Sequence, residues 1–248
     1  MGKTKIDRAA VGGLIETSYA IPNFWVDWNR VDSPVPVAFW RSVGDSQTGF
    51  VMETVIDELA FLADRDPIEY RMDLLAKDER QRRVLEIVAE KSQWGRPLRH
   101  GRGRGVATTF DDILQVWPRT YIAMVAEVSV TGGNFAVEKI IAALDCGTVV
   151  NPDIVVSQVE GSVAFAMSTV TRNEITLRDG AVVQSNFHDY EPTRMSEMPE
   201  VEVYLVESVE APSGIGEVAV APVAPAVANA LHKATGKRLR RLPLKFEV

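Results

Sequence analysis

Apolar residues in the first third of the chain recur at the spacing of helices. Residues 1–35 are irregular and punctuated by prolines, and Val37–Trp40 is predicted to be a short strand. A helix is expected to begin near Gln47, because the loop Gly44–Ser46 before it can cap its first turn. Four apolar residues share one face of this helix: Val51, Val55, Leu59 and Leu62.

Two further helices are expected before residue 95. Asp66-Pro67 favours the start of the first, because proline is well tolerated in a first turn. The second is expected over about residues 79–92, and residues 95–105 form a loop rich in glycine and arginine. The apolar faces of the two helices contain Tyr70, Leu74, Leu75, Val84, Leu85 and Val88.

The pattern becomes strand-like after residue 105. Thr131–Asn134 is a strong hairpin signal, because paired glycines separate two β-rich segments. Asp179-Gly180 indicates a second hairpin. The expected strands are Tyr121–Val130, Phe135–Leu144, Ile175–Arg178, Val182–Ser185 and Val201–Val206.

Two helices complete the pattern, one over about residues 153–169 and one over 222–234 that ends at Gly236. Strands and helices do not alternate regularly as in a Rossmann fold. The fold class expected is therefore α+β, with antiparallel hairpins or sheets on one side packed with helices on the other. The change of pattern divides the chain into residues 1–105, mainly helical, and residues 106–248.

Composition excludes several classes of function. The net charge is −7 over 248 residues, which argues against a nucleic-acid partner. Cys146 is the single cysteine and the three histidines are far apart, so no side chain is expected to ligate a metal directly. Met1–Arg8 lacks the features of a targeting signal, and no apolar run is long enough for a transmembrane segment. The compartment, cytoplasmic or periplasmic, stays open.

Basic residues form two local clusters with two possible explanations. They can be solvated faces and helix C-terminal charges, or they can contact an anionic cofactor tail or a partner chain. The clusters are Arg96, Arg99, His100, Arg102 and Arg104, then Lys233, Lys237, Arg238, Arg240, Arg241 and Lys245.

Two loop-to-helix segments combine glycine with polar residues. Phe39–Gln47 contains Arg41 and Ser42 before a helix whose N-terminal N–H groups can bind an anion or oxo group, although an ordinary capped loop would look the same. In the second segment, which begins at Asp145, Gln158 and Gly161 lie on one helix face. Gly161 allows either close approach of a ligand or tight helix packing.

A third segment, Pro212–Glu217, places a single carboxylate beside two glycines. Gly214 and Gly216 let the backbone bend tightly next to Glu217. Such a carboxylate can be held rigidly as a general base, or it can be a surface residue near a helix N-terminus. The residues alone leave both interpretations open.

In chain order these segments resemble the molybdopterin-binding large subunit of the xanthine dehydrogenase/aldehyde oxidase family, nearest to the isoquinoline 1-oxidoreductase β-subunit type. The resemblance extends from about residue 7 to residue 244. It depends on an ordered set of motifs: Phe39–Gly44, Asp145–Pro152, Gln158–Gly161, Asn186–Tyr190, Glu197–Val203 and Gly214–Glu217.

The resemblance implies a role for each matching residue. Glu217 matches the catalytic glutamate, and Gln158 matches a glutamine that hydrogen-bonds the pterin. Arg41 and Ser42 lie in the loop that approaches the cofactor, although Trp40 interrupts the family pattern after Phe39. Gly161, Gly214 and Gly216 are the accompanying cofactor-binding positions, and Asn186–Tyr190 matches a segment that lines the approach to the site.

The implied activity is oxidation of an aldehyde or N-heterocycle with water as the oxygen source, with Glu217 as the base. The implied cofactor is molybdopterin-type, with the cytosine dinucleotide as one candidate form, and it is shared with a partner chain. Iron–sulfur clusters are expected on a separate small [2Fe-2S] subunit. The residue ranges 1–105 and 106–248 would both be parts of molybdopterin-binding domains.

Two glycine loops that the family carries on its N-terminal side have no match in this chain. An N-terminal molybdopterin-binding chain or segment is therefore an expected partner, and the surface where it packs should be apolar. The chain would be one half of a split subunit or a truncated piece. The alternative is a non-catalytic scaffold that keeps the fold without metal; an unrelated α+β binding protein is a weaker third hypothesis.

Overall fold

The computed structural model describes residues 6–111 and 118–246. The first five residues of the polar segment Met1–Arg8 lie outside the described residues. A four-stranded sheet, ordered β1-β2-β3-β6, forms the centre of the described structure, and a short hairpin, β4-β5, lies apart from it. The strands are β1 (Arg102–Asp111), β2 (Thr120–Thr131), β3 (Asn134–Asp145), β4 (Leu177–Arg178), β5 (Ala181–Val182) and β6 (Glu200–Leu205).

The strand pairings confirm both predicted hairpins. β1, β2 and β3 are antiparallel neighbours, and β4 pairs with β5 across Asp179-Gly180. β6 pairs in parallel with β3, so the sheet is mixed. The α+β class is confirmed. The hairpin signals do not predict the position of β6 beside β3.

Five α-helices pack around this sheet in the described part of the chain. They are α1 (Asp45–Leu62), α2 (Pro67–Leu74), α3 (Glu79–Lys91), α4 (Pro152–Thr171) and α5 (Val223–Thr235). Asp66 caps α2, Asn151 caps α4, and Gly236 ends α5 with a positive φ of 74°. Each helix lies within a few residues of its predicted position.

Helices cover both faces of the sheet, which corrects the expected arrangement of helices on one side. Alternate residues of β2 face opposite cores, because side chains of a strand alternate. Ile122 and Met124 pack in the core that includes α4 and α5, whereas Ala123 and Val125 pack in the core that includes α3. The sheet is therefore buried on both faces in the first part of β2 and the second part of β3.

The loop expected over residues 95–105 is only partly correct, because β1 begins at Arg102. Gly103 and Gly105 face α5, and a Cβ at either would lie 2.1 Å from a backbone atom of Ala230. Arg102 and Arg104 pair with acidic residues of the same sheet. The two glycines therefore allow α5 to pack closely on β1 and are not explained by a need for chain flexibility.

One expectation about the residues before α1 is wrong. Val37–Trp40 has no strand partner and forms no strand, although its composition favours one. Trp25, in the same part of the chain, is 83% exposed. Both belong to an extended segment that the rest of this chain does not cover.

The inner face of α1 lies over the edge strand β1 and contains charge. Glu53 accepts a hydrogen bond from the backbone N–H of Thr108 at 2.9 Å and pairs with Arg71 Nε at 2.9 Å. Glu53 and Arg71 are at most 1% exposed. The carboxylate thus satisfies an edge N–H group that would otherwise be unpaired.

The helix α4 is long and apolar. Its 20 residues satisfy the length and hydropathy of a membrane-spanning helix, although the sequence predicts no transmembrane segment. Its buried face, which includes Val159, Val163 and Val170, packs in the same core as α5. A core helix has the same length and composition, so α4 is weak evidence for a membrane span.

Candidate functional site

The loop before α1 forms a tight and unusual turn. The backbone N–H of Val43 donates to the carbonyl of Trp40 at 2.8 Å. Ser42 and Val43 have positive φ angles of 78° and 45°. A β-branched residue rarely adopts this conformation, so the turn is strained. Strain of this kind persists only where the surroundings hold the backbone in place.

Arg41 connects the three segments that the sequence singles out. Its Nε donates to the carbonyl of Gly216 at 2.6 Å, and its Nη2 donates to Gln158 Oε1 at 2.8 Å. The guanidinium also lies over the ring of Phe165 of α4, and that ring packs against Trp40. Arg41 thus bridges the helix face of α4 and residues Gly214–Glu217, which we call the glycine bend.

Ser42 fixes the same bend from the other side. It is buried, and its hydroxyl donates to the carbonyl of Glu217 at 3.0 Å. That carbonyl also accepts from the N–H of Val220 at 3.0 Å. The backbone on both sides of the Glu217 side chain is therefore held by Arg41 and Ser42.

The Glu217 side chain differs from the other carboxylates of the described residues in its hydrogen bonding. Its Oε2 atom is buried and has no hydrogen-bond partner among the described residues. Five buried side-chain atoms share that property in the described structure, and Glu217 Oε2 is the only carboxylate oxygen among them. An unpaired buried carboxylate oxygen is costly in an isolated fold, which makes Glu217 a candidate site residue.

The charges of Arg41 and Glu217 act on each other. Partial burial lowers the pKa of the Arg41 guanidinium, and the negative charge of Glu217 opposes that shift. Arginine stays protonated at any physiological pH. Arg41 therefore places a permanent positive charge beside the carboxylate and the glycine bend.

The start of the second segment, Asp145–Gly147, is a loop that is fixed by an ion pair. Arg80 forms two hydrogen bonds to Asp145, at 2.6 and 2.8 Å, and the N–H of Gly147 donates to the same carboxylate at 3.0 Å. Burial by itself raises the pKa of the Asp145 carboxyl, but these hydrogen bonds outweigh it and hold the pKa below its ordinary value. An ionised Asp145 therefore orders the Cys146-Gly147 loop.

That loop is joined to residues just before the glycine bend. The carbonyl of Cys146 accepts from the N–H of Ser213 at 2.9 Å, and a Cβ at Gly147 would lie 2.2 Å from the carbonyl oxygen of Ala211. Thr120 Oγ1 donates to the carbonyl of Gly214 at 2.6 Å. Burial raises the pKa of the Cys146 thiol, which argues against a nucleophilic role.

The structure brings most of the predicted site residues together. Gln158 and Gly161 lie on one helix face beside Arg41, and the nearest neighbour of a Cβ at Gly161 would be Arg41 Nη1, at 4.0 Å. Helix packing through Gly161 is therefore not the explanation for this glycine. Gly214 and Gly216 face open space, because a Cβ added at either would have no described atom within 4 Å.

The segment Asn186–Tyr190 forms a separate exposed turn. The carboxylate of Asp189 accepts from the N–H groups of Ser185 and Asn186, and the Phe187 side chain is exposed. The hydrogen bonds described for this turn are local. Its position along the approach to the site stays a prediction.

Sequence reasoning missed the supporting residues Arg80 and Thr120. Thr120 and Gly214 are 94 positions apart in the chain, and Arg80 and Asp145 are 65 apart. No local pattern links residues so distant. Asp145 alone offered a signal, since a carboxylate precedes a glycine turn in a recognisable motif.

Both basic clusters form ion pairs within the chain. Arg238 and Arg240 pair with Asp57 and Glu58 of α1, and Arg104 pairs with Glu127. These contacts favour the structural explanation of the clusters.

Among the described residues, no group of three or more histidine, cysteine, aspartate or glutamate side chains is arranged to hold a metal ion. The site therefore offers hydrogen-bond donors and acceptors, one orphaned carboxylate oxygen and open glycine backbone. This donor set suits a bound organic cofactor better than direct ligation of a metal.

The fold and this site define a cofactor-binding domain, and comparison with known families identifies which one. Residues 56–199 match the model of the molybdopterin cofactor-binding domain. The chain belongs to that family, whose cofactor contains molybdenum.

Three known proteins show how far the similarity extends. The β-subunit of isoquinoline 1-oxidoreductase from Brevundimonas diminuta is 31% identical over 95% of this chain and 30% of its own length. The B chain of nicotinate dehydrogenase from Pseudomonas putida is 33% identical over 87% of this chain and 19% of its own length. Quinoline 2-oxidoreductase from Pseudomonas putida 86 shares the fold, with a TM-score of 0.64 and 12% identity over 79% of this chain and 50% of that one.

The chain thus spans about 30% or less of the length of these two curated relatives. Most of each relative has no counterpart in these 248 residues.

Proposed function

We propose that this chain forms part of the active site of a molybdenum hydroxylase, with Glu217 as the catalytic base. One observation carries the proposal: three segments far apart in sequence converge on Arg41 and the glycine bend, next to Glu217, whose buried Oε2 atom has no partner among the described residues. Family membership explains which cofactor would provide that partner. The alternative of an exposed surface glutamate does not explain a buried Oε2 atom.

The residues present fit the pterin part of a molybdenum cofactor. Gln158 has an amide NH₂ group that can donate to a pterin acceptor, while its Oε1 is held by Arg41. The open backbone at Gly161, Gly214 and Gly216 lets a flat ring system approach closely. Ser42 and Arg41 act as cofactor-binding residues by holding this backbone in position.

The mechanism assigns separate roles to this chain and to the cofactor. When bound, the cofactor supplies the two-electron oxidation and activates a water-derived oxygen for attack on carbon. Glu217 Oε2 accepts the proton released as that oxygen becomes nucleophilic. Arg41 keeps its positive charge beside the site, and Ser42 prevents the carboxylate backbone from shifting. The protein thus positions the reacting groups and accepts the proton.

The substrate is proposed to be an N-heterocycle or an aldehyde. Both present an electrophilic carbon that accepts oxygen derived from water. The names of two curated relatives refer to isoquinoline and nicotinate, and that of a third refers to an aldehyde, so the names support both substrate classes.

Activity is proposed to require further chains or segments. The chain spans about 30% of the isoquinoline 1-oxidoreductase β-subunit, so an N-terminal molybdopterin-binding chain or segment completes the cofactor cage. A small [2Fe-2S] subunit would take the electrons, and the cytosine dinucleotide is the proposed form of the cofactor. The boundary between residues 1–105 and 106–248 is also retained as a proposal, although β1 crosses it.

The decisive experiment compares Glu217→Gln with Glu207→Gln in the assembled complex. Glu207 is exposed and lies in the same part of the chain, so it provides a matched control. We expect Glu217→Gln to lower turnover by about 100-fold or more while molybdenum per complex is unchanged. Glu207→Gln should leave both values as in the wild type.

The same measurement distinguishes the scaffold alternative. A complex without molybdenum, or a Glu217→Gln variant with normal turnover, would contradict a catalytic role and favour a non-catalytic chain that retains the fold.

A further inference from the structure

The exposed face of α1 is apolar, as the buried face of a helix usually is. Val51, Val55, Leu59 and Leu62 form one stripe along it, and they are between 41% and 72% exposed. The face that packs on the sheet instead contains Glu53, which is paired with Arg71. The predicted helix face is therefore present, but it points away from this chain's core.

A groove of about 240 Å³ continues this apolar surface. It lies between α1 and the segment after α5, and its lining includes Val51, Val55 and Leu239. Arg238 and Arg240 at its edge are already paired with acidic residues of α1. The groove therefore presents apolar surface with compensated charge, which suits a protein partner better than an anionic ligand.

A helix with apolar residues on both its inner and its outer face is normally covered on both sides. On the inner face of α1, Ile56 is 1% exposed, whereas nothing in the described part of this chain covers the outer stripe. Large exposed apolar patches rimmed by polar residues mark interaction surfaces. The paired charges of Glu58 and Arg240 provide such a rim beside the stripe.

We infer that the outer face of α1 and its groove are the surface on which the rest of the molybdenum-binding large subunit packs. The occupant follows from chain length: about 70% of the isoquinoline 1-oxidoreductase β-subunit has no counterpart here, because this chain matches 30% of it. The inference rests on the proposed function only in assuming that the complementary polypeptide exists.

A second copy of this chain fits the surface less well. From Val51 to Leu62 the stripe is about 16 Å long at 1.5 Å per residue, and at a helix width of about 10 Å it offers only a few hundred Å² at most. A stable dimer needs about 800 Å² from each partner. The stripe is therefore one part of a larger contact, as expected between two halves of a subunit.

The test uses the complementary polypeptide of the same organism, the chain or segment with the N-terminal part of the large subunit. Its affinity is measured for the wild type, for Val55→Glu/Leu59→Glu and for Leu177→Glu. Leu177 is 55% exposed in the β4–β5 hairpin, so it controls for adding charge at an apolar surface position. We expect the dissociation constant to rise about 100-fold for the α1 variant, since charge is buried in the contact, and by less than about threefold for the control.

Cysteine labelling provides a second measurement, which does not depend on whether the glutamate variants fold. Val55→Cys and Leu177→Cys should both react with a maleimide in the chain alone, whereas the native Cys146 is buried. In the assembly, Val55→Cys should be protected at least about tenfold relative to Leu177→Cys.

Three results would overturn the inference: equal affinities of the α1 variant and the control, an equally reactive Val55→Cys in the assembly, or a wild-type homodimer that Val55→Glu/Leu59→Glu makes monomeric. Molybdenum content is measured separately. A complex that the α1 variant disrupts but that contains no molybdenum would leave this docking surface intact and contradict the proposed function.

Discussion

Two glutamates in this chain, Glu53 and Glu217, have opposite surroundings. Glu53 accepts hydrogen bonds from the Tyr19 hydroxyl at 2.6 Å, from Arg71 and from the Thr108 N–H. Glu217 has a buried Oε2 atom without a partner in the described structure. The two glutamates differ in how completely this chain satisfies them.

The difference separates a carboxylate that this chain satisfies from the one proposed as the catalytic base. Burial and the Glu53 charge raise the pKa of Tyr19, so its hydroxyl remains a donor. Desolvation tends to lower the pKa of Arg71, but the charge of Glu53 outweighs it and raises that pKa, so the guanidinium remains charged. The Glu53 carboxylate is satisfied within this chain, whereas the proposed function assigns the partner of Glu217 Oε2 to a bound cofactor.

The largest predicted effect is a loss of stability when Glu53 is substituted. Glu53→Gln leaves Arg71 buried without its main counter-charge, so the free energy of unfolding should fall by about 3–5 kcal/mol. Chemical denaturation of the protein measures it. Glu58→Gln on the same helix breaks only the pair with Arg240 and should cost less than about 1 kcal/mol. Equal losses for the two variants would contradict a special role for the buried pair.

A smaller effect is expected at Asp145, which supports the loop behind the glycine bend. Asp145→Asn weakens the contact with Arg80, and we expect a loss of about 1–2 kcal/mol in the free energy of unfolding near neutral pH. Because the folded-state pKa of Asp145 is lowered, its stabilisation is complete above the ordinary pKa of about 3.9. It is lost as the pH falls through the lower, folded-state value.

Denaturation of wild type and Asp145→Asn at several pH values checks the sign. The difference between them should be constant above about pH 5 and shrink below about pH 4. A difference that grows on acidification would contradict the assigned charge of Asp145.

Arg41→Lys should have a smaller effect still. Lysine keeps the charge but cannot bridge Gln158 and Gly216 with a planar fork, so we expect a loss of about 1 kcal/mol in the free energy of unfolding. Arg99→Lys, at an exposed position, is the control and should change nothing measurable. If Arg41→Lys also changed nothing, the bridge would not hold the glycine bend.

The smallest effect on stability, of opposite sign, is expected for Glu217→Gln. Removing a carboxylate that the chain leaves unsatisfied should change the free energy of unfolding by less than about 0.5 kcal/mol or increase it slightly. The same change in side chain at Glu53 is strongly destabilising. A loss of several kcal/mol for Glu217→Gln would show that this glutamate is structural.

Local patterns predict the elements of this fold well. The glycine pair within Thr131–Asn134 determines a hairpin, and Val84, Leu85 and Val88 are fully buried as their spacing indicates. The convergence of Arg41, Gln158 and Glu217 is predicted through the resemblance to a family rather than through the residues themselves.

Other features depend on contacts that no local pattern contains. The parallel pairing of β6 with β3 follows from tertiary packing. The apolar stripe of α1 is predicted as a buried helix face, but the buried face is the other one, which contains Ile56 and the Glu53–Arg71 pair. Gly103 and Gly105 resemble loop residues in sequence and serve helix packing in the structure.

The central claim is spatial, and anomalous diffraction at the molybdenum absorption edge tests it most directly. Crystals of the assembled complex should show the metal peak beside the Glu217 carboxylate, on the side of the glycine bend that faces Arg41 and Gln158. A metal peak elsewhere, with Glu217 Oε2 in contact with bulk water, would contradict the account.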